Sequence, residues 1–336
     1  MPMRLFSLLI LFLIPIHGRA AESKTTNSTA AGNVVLVTLD GVRWQEFFGG
    51  PDPDLDSSET GVVFSRFWSQ TAPQSVIYGN PATGNQMRIA NLTGVSLPGY
   101  FSMMSGLTTG CLANDCDRVG YGTFPERLVN LLGLEPEQAA TFASWAPIAL
   151  AVEHSAGATA VRAGPQAGDS PDDLVSPEAR LDRLTFSKAL AYLMARRPRF
   201  LYISLNDSDH WGHEGDYARY LAALRQYDLW LALLAATIDG LGDYGRNTTL
   251  IVTTDHGRGT GADWTGHAMI MQARDIWLYA RGPHVSPTGS VVGASAHTHL
   301  DIRPTIELLM GLCPRSCDDC GSPLPEVTSG LAACSP

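Results

Sequence analysis

Apolar residues in this chain come in short unbroken runs that stop abruptly at polar ones. Residues 33–41, "NVVLVTLDG", are apolar and largely β-branched until Asp40 and Gly41. Such a run, without polar alternation, predicts a strand buried on both faces, as in a parallel sheet. "RFLYISLND" at 199–207 and "TTLIVTTDHG" at 248–257 share the design, each ending in acidic or histidine residues. "DIWLYARGP" at 275–283 is a fourth run, closed by Gly-Pro.

Between these runs the period lengthens to that of a helix. "TFPERLVNLLG" (123–133) opens with a capping threonine and a proline in its first turn. Residues 176–197 and 216–242 are long amphipathic patterns, and 300–312 closes the series. Strands alternating with helices predict an α/β protein, a three-layer α/β/α sandwich on a mostly parallel central sheet. No repeat or linker-like shift interrupts 33–312, so one catalytic domain is expected there. Residues 49–61 and 163–173 read as surface loops, and 313–336 as a cysteine-rich tail.

The first residues follow a different logic. Arg4, the apolar run 5–16 and small residues around Ala20 and Ala21 predict a signal peptide over 1–21, followed by a polar leader over 22–32. The run is too short for the ~20 apolar residues of a membrane span. The expected location is periplasmic or secreted, with no stable membrane insertion after cleavage. Charge sharpens the picture. The 23 basic residues against 33 acidic ones give −10, and loss of Arg4 and Arg19 leaves 21 against 33, or −12. An acidic surface argues against a nucleic-acid partner.

Six cysteines in an exported chain read as disulfides. Cys111 and Cys116 are expected to pair. Cys313, Cys317, Cys320 and Cys334 are expected to form two further bridges, with their pairing open. A zinc knuckle on "CPRSCDDC" is the rival that an oxidising compartment disfavours.

Ligand sites in parallel sheets lie beyond the carboxyl ends of the strands. Those ends here carry Asp40, Asp207, Asp209, Asp255 and His256, with His213 closing "DHWGH" and His267 closing "DWTGH". Oxygen and imidazole ligands of this kind suit zinc, and less exclusively manganese. Each piece has a plainer reading. An aspartate after a strand often forms a turn, an Asp–His pair four apart decorates a helix surface, and His267 fits a loop. The nearest rival histidines are His297 and His299 in "AHTHL". Ser96, in "GVSLPGYFSMMSG" (94–106), reads either as the N-cap of a helix or as a nucleophile.

Taken in order, "LDGVRWQEFFGG", "GNQMRIANLTGVSLPGY", "CLANDC", "TFASW", "DSDHWGH", "TTDHGRG" and "DWTGH…IWLYARGP" resemble the alkaline phosphatase superfamily. The resemblance is nearest to its type I phosphodiesterase/nucleotide pyrophosphatase-like and phosphopentomutase-like members, and to exported bacterial proteins opening with a similar DG-R-W-Q-E block. It implies Ser96 as the catalytic nucleophile and two divalent metal ions, zinc first and manganese second. By position it assigns Asp40, Ser96, Asp255 and His256 to one ion and Asp209, His213 and His267 to the other. Asn114 matches the donor to a phosphoryl oxygen, in a loop that a Cys111–Cys116 bridge would fix. The implied substrate is a small-molecule phosphate ester, mono- or diester.

The pattern departs from its relatives at three places. Gly99 stands where diesterases often have asparagine. No Lys–Arg pair matches those that grip a dianionic phosphate, with Arg258 a candidate substitute. Tyr100 stands where a sulfatase of [CS]-x-P-x-R type needs arginine. A sulfatase or phosphonate hydrolase, a phosphomutase and a non-catalytic metal-binding scaffold remain the alternatives.

Overall fold

A computed structural model describes residues 32–56, 58–294, 296–332 and 334; the expected signal peptide and nearly all of the leader lie outside them. The three runs that end in ligand-type residues lie side by side. β1 (Asn33–Leu39) has every residue buried, because both of its faces are apolar. The other strands of its sheet are β2 (Val76–Tyr78), β3 (Ala139–Ala143), β4 (Ala160–Ala163), β5 (Phe200–Leu205), β6 (Thr248–Thr253), β7 (Leu278–Arg281) and β8 (Gly289–Ser290). Their order across the eight-stranded sheet is β8-β2-β7-β6-β1-β5-β3-β4.

β1 pairs parallel with β5 and with β6, placing Leu39 beside Leu205 and Thr38 beside Thr253. That register makes the chain leave all three strands at the same edge. The fourth predicted run differs: β7 runs antiparallel to both β6 and β2. The sheet is therefore mostly, not wholly, parallel.

Alternating residues of the central strands feed two separate cores. Val34 and Leu36, with Tyr202 and Ile251, face α1 (Ser96–Ser105), α2 (Phe124–Leu132) and α6 (Ile302–Leu309). Val35, Val37 and Leu39 face α3 (Asp182–Arg196) and α5 (Tyr217–Gly240). The sheet is thus covered on both sides, as predicted. Truncating a residue such as Leu36 to alanine costs about 2–5 kcal/mol in cores of this kind. The Thr123 and Glu126 side chains form a capping box at the start of α2, and Gly133 ends it at φ 64°.

Two parts of the pattern were not legible locally. The helical period from 176 is occupied by a ribbon, Leu174–Ser176 against Ala179–Arg180, and the helix begins only at Asp182. Arg180 explains this, because its buried guanidinium donates to the Thr185 hydroxyl and the Ala143 and Arg162 carbonyls. β3 and β4 are short and alanine-rich, with little intrinsic strand preference. α5 has the length and apolar content of a membrane-crossing helix, yet half of its most apolar stretch is buried in the protein.

The tail folds back on the body. Its bridges are Cys313–Cys334 and Cys317–Cys320, and Leu324 and Val327 are buried in the α1-side core. The Leu324 N–H donates to Thr305 Oγ1 at 2.8 Å.

Candidate active site

The common edge of β1, β5 and β6 delivers the ligand-type side chains to one place. Asp40 follows β1, Asp255 and His256 follow β6, and α4 (Asp207–His213) follows β5 with only Asn206 between them. His256 Nε2 lies 3.5 Å from Asp40 Oδ1 and 3.4 Å from Asp255 Oδ2. Ser96 Oγ is 3.1 Å from the same Nε2 and 3.5 Å from Asp40 Oδ1. Beside them, His213 Nε2 lies 3.2 Å from Asp209 Oδ2 and 3.0 Å from His267 Nε2. His256 and His267 stack with ring centroids 4.0 Å apart, joining the two groups.

Ser96 is not the cap of its helix. It is the first residue of α1, Val95 holds the N-cap position, and no side chain caps that end. Its hydroxyl turns to the acidic and imidazole cluster instead. The capping reading is therefore corrected by the geometry.

The donor set fits divalent cations. His256 Nδ1 donates to the Gly257 carbonyl at 2.8 Å, and His267 Nδ1 to the Gly94 carbonyl at 2.6 Å. A carbonyl can only accept, so each Nδ1 carries the proton and each Nε2 presents its lone pair to the cluster. Asp255 Oδ1 accepts the Gly41 N–H, while its buried Oδ2 has no donor. Ligand atoms of Asp40, Asp255 and His256 lie within 4.8 Å of one another, as do those of Asp209, His256 and His267.

Electrostatics point the same way. Burial, with the charges of Asp255 and Asp209, raises the Asp40 carboxyl well above its ordinary range. Burial and Asp209 push Asp255 up to about 7. Burial pushes His256 down to about 4, and burial with the neighbouring His256 pushes His267 down to about 3. Burial works against ionised Asp209 too, but the Arg258 guanidinium and His213 outweigh it and hold that carboxyl low. Mutually repelling carboxylates beside neutral imidazoles form a pocket that a cation would relieve.

Asp207 is set apart. Its carboxylate accepts the Asp182 N–H at 3.2 and 3.3 Å, while burial and Asp182 push it up to about 9. Arg258 also departs from expectation, since its guanidinium is buried against Asp209 rather than facing a substrate. His297 pairs with Asp301, and His299 Nδ1 accepts the Ala90 N–H, so the rival histidines lie in a separate cluster.

An open pocket of about 210 Å³ lies over the cluster, lined by Asp40, Ser96, Asp209 and His213. Asn114 reaches it from the loop closed by Cys111–Cys116, with Oδ1 accepting the Leu97 N–H at 2.9 Å. That bond leaves the amide Nδ2 as the donor Asn114 can offer. His210, Trp145, Val175, Ser176, Ala179 and Asn206 complete the lining. None of these six was marked as a site residue by its motif. Only the place of His210 inside "DHWGH" could have flagged one.

The family model described as "Metalloenzyme superfamily" matches residues 177–300, which hold Asp209, His213, Asp255, His256 and His267. Over 145 residues the chain is 27% identical to a 2,3-bisphosphoglycerate-independent phosphoglycerate mutase of Thermomicrobium roseum. That match takes in 41% of this chain but only 26% of the mutase, so the chain spans about a quarter of that relative. A solved 2-O GAG sulfatase is similar at TM-score 0.61 and 15% identity, over 90% of this chain and 75% of that one. A murine ectonucleotide pyrophosphatase/phosphodiesterase 5, inactive and in complex with AMP, is similar at TM-score 0.56 and 14% identity, over 90% and 100%. At such identities the likeness is one of fold. The family match over residues 177–300 and the shared fold across nine-tenths of the chain agree with the resemblance to the alkaline phosphatase superfamily of metalloenzymes that the motifs carry in sequence order.

Proposed function

We propose that this protein is an exported hydrolase of small-molecule phosphate esters that uses Ser96 as its nucleophile and two divalent cations. Asp40, Ser96, Asp255 and His256 would hold one cation, and Asp209, His213 and His267 the other, with zinc preferred and manganese second. The observation that carries the reading is Ser96 Oγ, 3.1 Å from His256 Nε2 and 3.5 Å from Asp40 Oδ1, where it is free of any capping role. Bound there, the cations would supply Lewis-acid activation of the serine oxygen and stabilisation of the leaving oxygen.

The protein's own groups do the rest. Ser96 Oγ forms a bond to phosphorus as the ester P–O bond breaks and the alcohol leaves. Water then displaces Ser96 from the phosphoryl-serine and restores the hydroxyl. Asn114 Nδ2 can donate to a phosphoryl oxygen, and the N-terminus of α1 adds a favourable field for the anion. Trp145, Val175 and Ala179 give the organic group an apolar wall. No lysine or arginine is among the lining residues, which favours a singly charged diester over a dianionic monoester.

A screen of zinc-reconstituted protein tests this. Bis(4-nitrophenyl) phosphate should turn over faster than 4-nitrophenyl phosphate, and 4-nitrophenyl sulfate slowest. Turnover of the sulfate ester alone, or diester hydrolysis that survives exhaustive chelation, would overturn the reading.

A further inference from the structure

Arg258 follows Asp255 and His256 in "TTDHGRG" and is fully buried. Its donors are committed in three directions. Nε donates to the Trp264 carbonyl at 3.0 Å, Nη2 to the Thr265 carbonyl, and Nη1 to Oδ1 of Asp209. The guanidinium sits in a slot that two glycines leave open. A Cβ at Gly212 would stand 2.6 Å from Arg258 Cζ and Nε. A Cβ at Gly41, where φ is +65°, would stand 2.6 Å from Asp209 Oδ1 and 3.0 Å from Arg258 Nη1. Gly41 lies just past Asp40, and Gly212 lies between Asp209 and His213. The segments that present the ligands are thus the ones cut back to admit the arginine.

The two oxygens of Asp209 are thereby divided. Oδ1 is held by Arg258, while Oδ2 faces His213 Nε2 at 3.2 Å. We propose that Arg258 is a positioning residue of the metal centre, a built-in counter-ion that clamps one oxygen of Asp209 and leaves the cation only the other. This rests on the metal-centre reading above. Without a cation, the guanidinium is the charge that balances Asp209 in a pocket also holding Asp40 and Asp255. Its loss should therefore harm the metal-free protein more than the loaded one.

The test compares melting temperatures of chelator-stripped protein before and after zinc is added. In the unaltered protein zinc raises Tm. Arg258→Met should lower the metal-free Tm by roughly 5–10 °C, as expected for a buried charge left unpaired. Zinc should recover part of that loss, so its effect on Tm becomes larger than in the unaltered protein. Gly212→Ala carries the same test if Arg258→Met does not fold. Alanine favours a helix over glycine, so local propensity alone would raise Tm. Displacement of the guanidinium instead predicts a lower metal-free Tm and a larger zinc effect. An equal zinc effect in all folded variants and the unaltered protein overturns the proposal while sparing the metal centre. No stabilisation of the unaltered protein by zinc or manganese overturns the metal centre itself, and the role of Arg258 with it.

Discussion

The segment Ala296–Asp301 and the sheet edge around Asp255 carry the same kinds of side chain, yet the structure uses them differently. Asp301 Oδ2 accepts from the Thr298 N–H at 3.0 Å and from His297 Nδ1 at 3.2 Å, and its Oδ1 from the Ser322 N–H at 2.8 Å. His299 turns Nδ1 to the Ala90 N–H as an acceptor. These lone pairs hold backbone in place. At the sheet edge the relation is reversed: His256 and His267 donate from Nδ1 to carbonyls, their ligand atoms gather with that of Asp209, and His256 Nε2 lies 3.4 Å from Asp255 Oδ2, which has no donor. Residue type alone does not make a metal centre. Unused lone pairs brought to one point do.

The contrast breaks most visibly at Ser96, which belongs to the sheet edge alone. Ser96→Ala should lower turnover at least about 10³-fold, as loss of a nucleophile does. Its Tm should move by no more than about 2–3 °C, because no capping bond is lost. Ester turnover and thermal unfolding on one sample decide it; near-normal turnover with metal bound would sink the mechanism.

Matched neutralisations sharpen the contrast. Asp255→Asn should weaken zinc binding by at least about 100-fold, beyond what an outer partner usually contributes. Asp301→Asn should leave zinc binding unchanged and cost about 1–2 kcal/mol of stability through weaker acceptance from Thr298 and Ser322. Zinc titration and denaturant unfolding of both variants give the comparison. Similar zinc loss in the two would erase the distinction.

Asp255 and His299 should also make opposite contributions to the pH dependence of stability. Asp255 is raised in the fold to about 7 from an ordinary 3.8, so its share of metal-free stability falls as pH rises from about 4 to 7. His299 is pushed down by burial to about 4 from 6.5. The unfolded chain then takes up the proton first, and stability present above pH 6.5 is lost as pH falls towards 4, by on the order of 3 kcal/mol. Asp255→Asn should remove the share of Asp255, beside those that Asp40 and Asp207 keep, and His299→Gln the share of His299, beside those of His256 and His267. Unfolding free energies of stripped protein between pH 4 and 7 measure both.

The smallest effect on catalysis concerns the disulfides. Replacing Cys111 and Cys116 by serine should cost about 2 kcal/mol for so short a loop and raise KM, because Asn114 loses its frame. Breaking Cys313–Cys334 should lower stability and leave KM alone. Steady-state kinetics of the two double variants separate them, and equal KM changes would remove Asn114 from substrate binding.

The sequence by itself determined the elements whose cause is local. Apolar, β-branched runs made β1, β5 and β6, a threonine–proline start made α2, and the ligand-type residues at strand ends were visible because each stops a run. Tertiary structure decided what those residues became. Ser96 meets His256 across 160 positions and Asp209 meets Arg258 across 49, distances that no window of periodicity spans. The antiparallel β7, the late start of α3 at Asp182 and the tail pairings Cys313–Cys334 and Cys317–Cys320 were settled the same way. A local pattern fixes which face of a segment is apolar. Only the assembled sheet fixes which charge compensates which, because burial makes a carboxylate's partner matter and burial is a property of the whole fold.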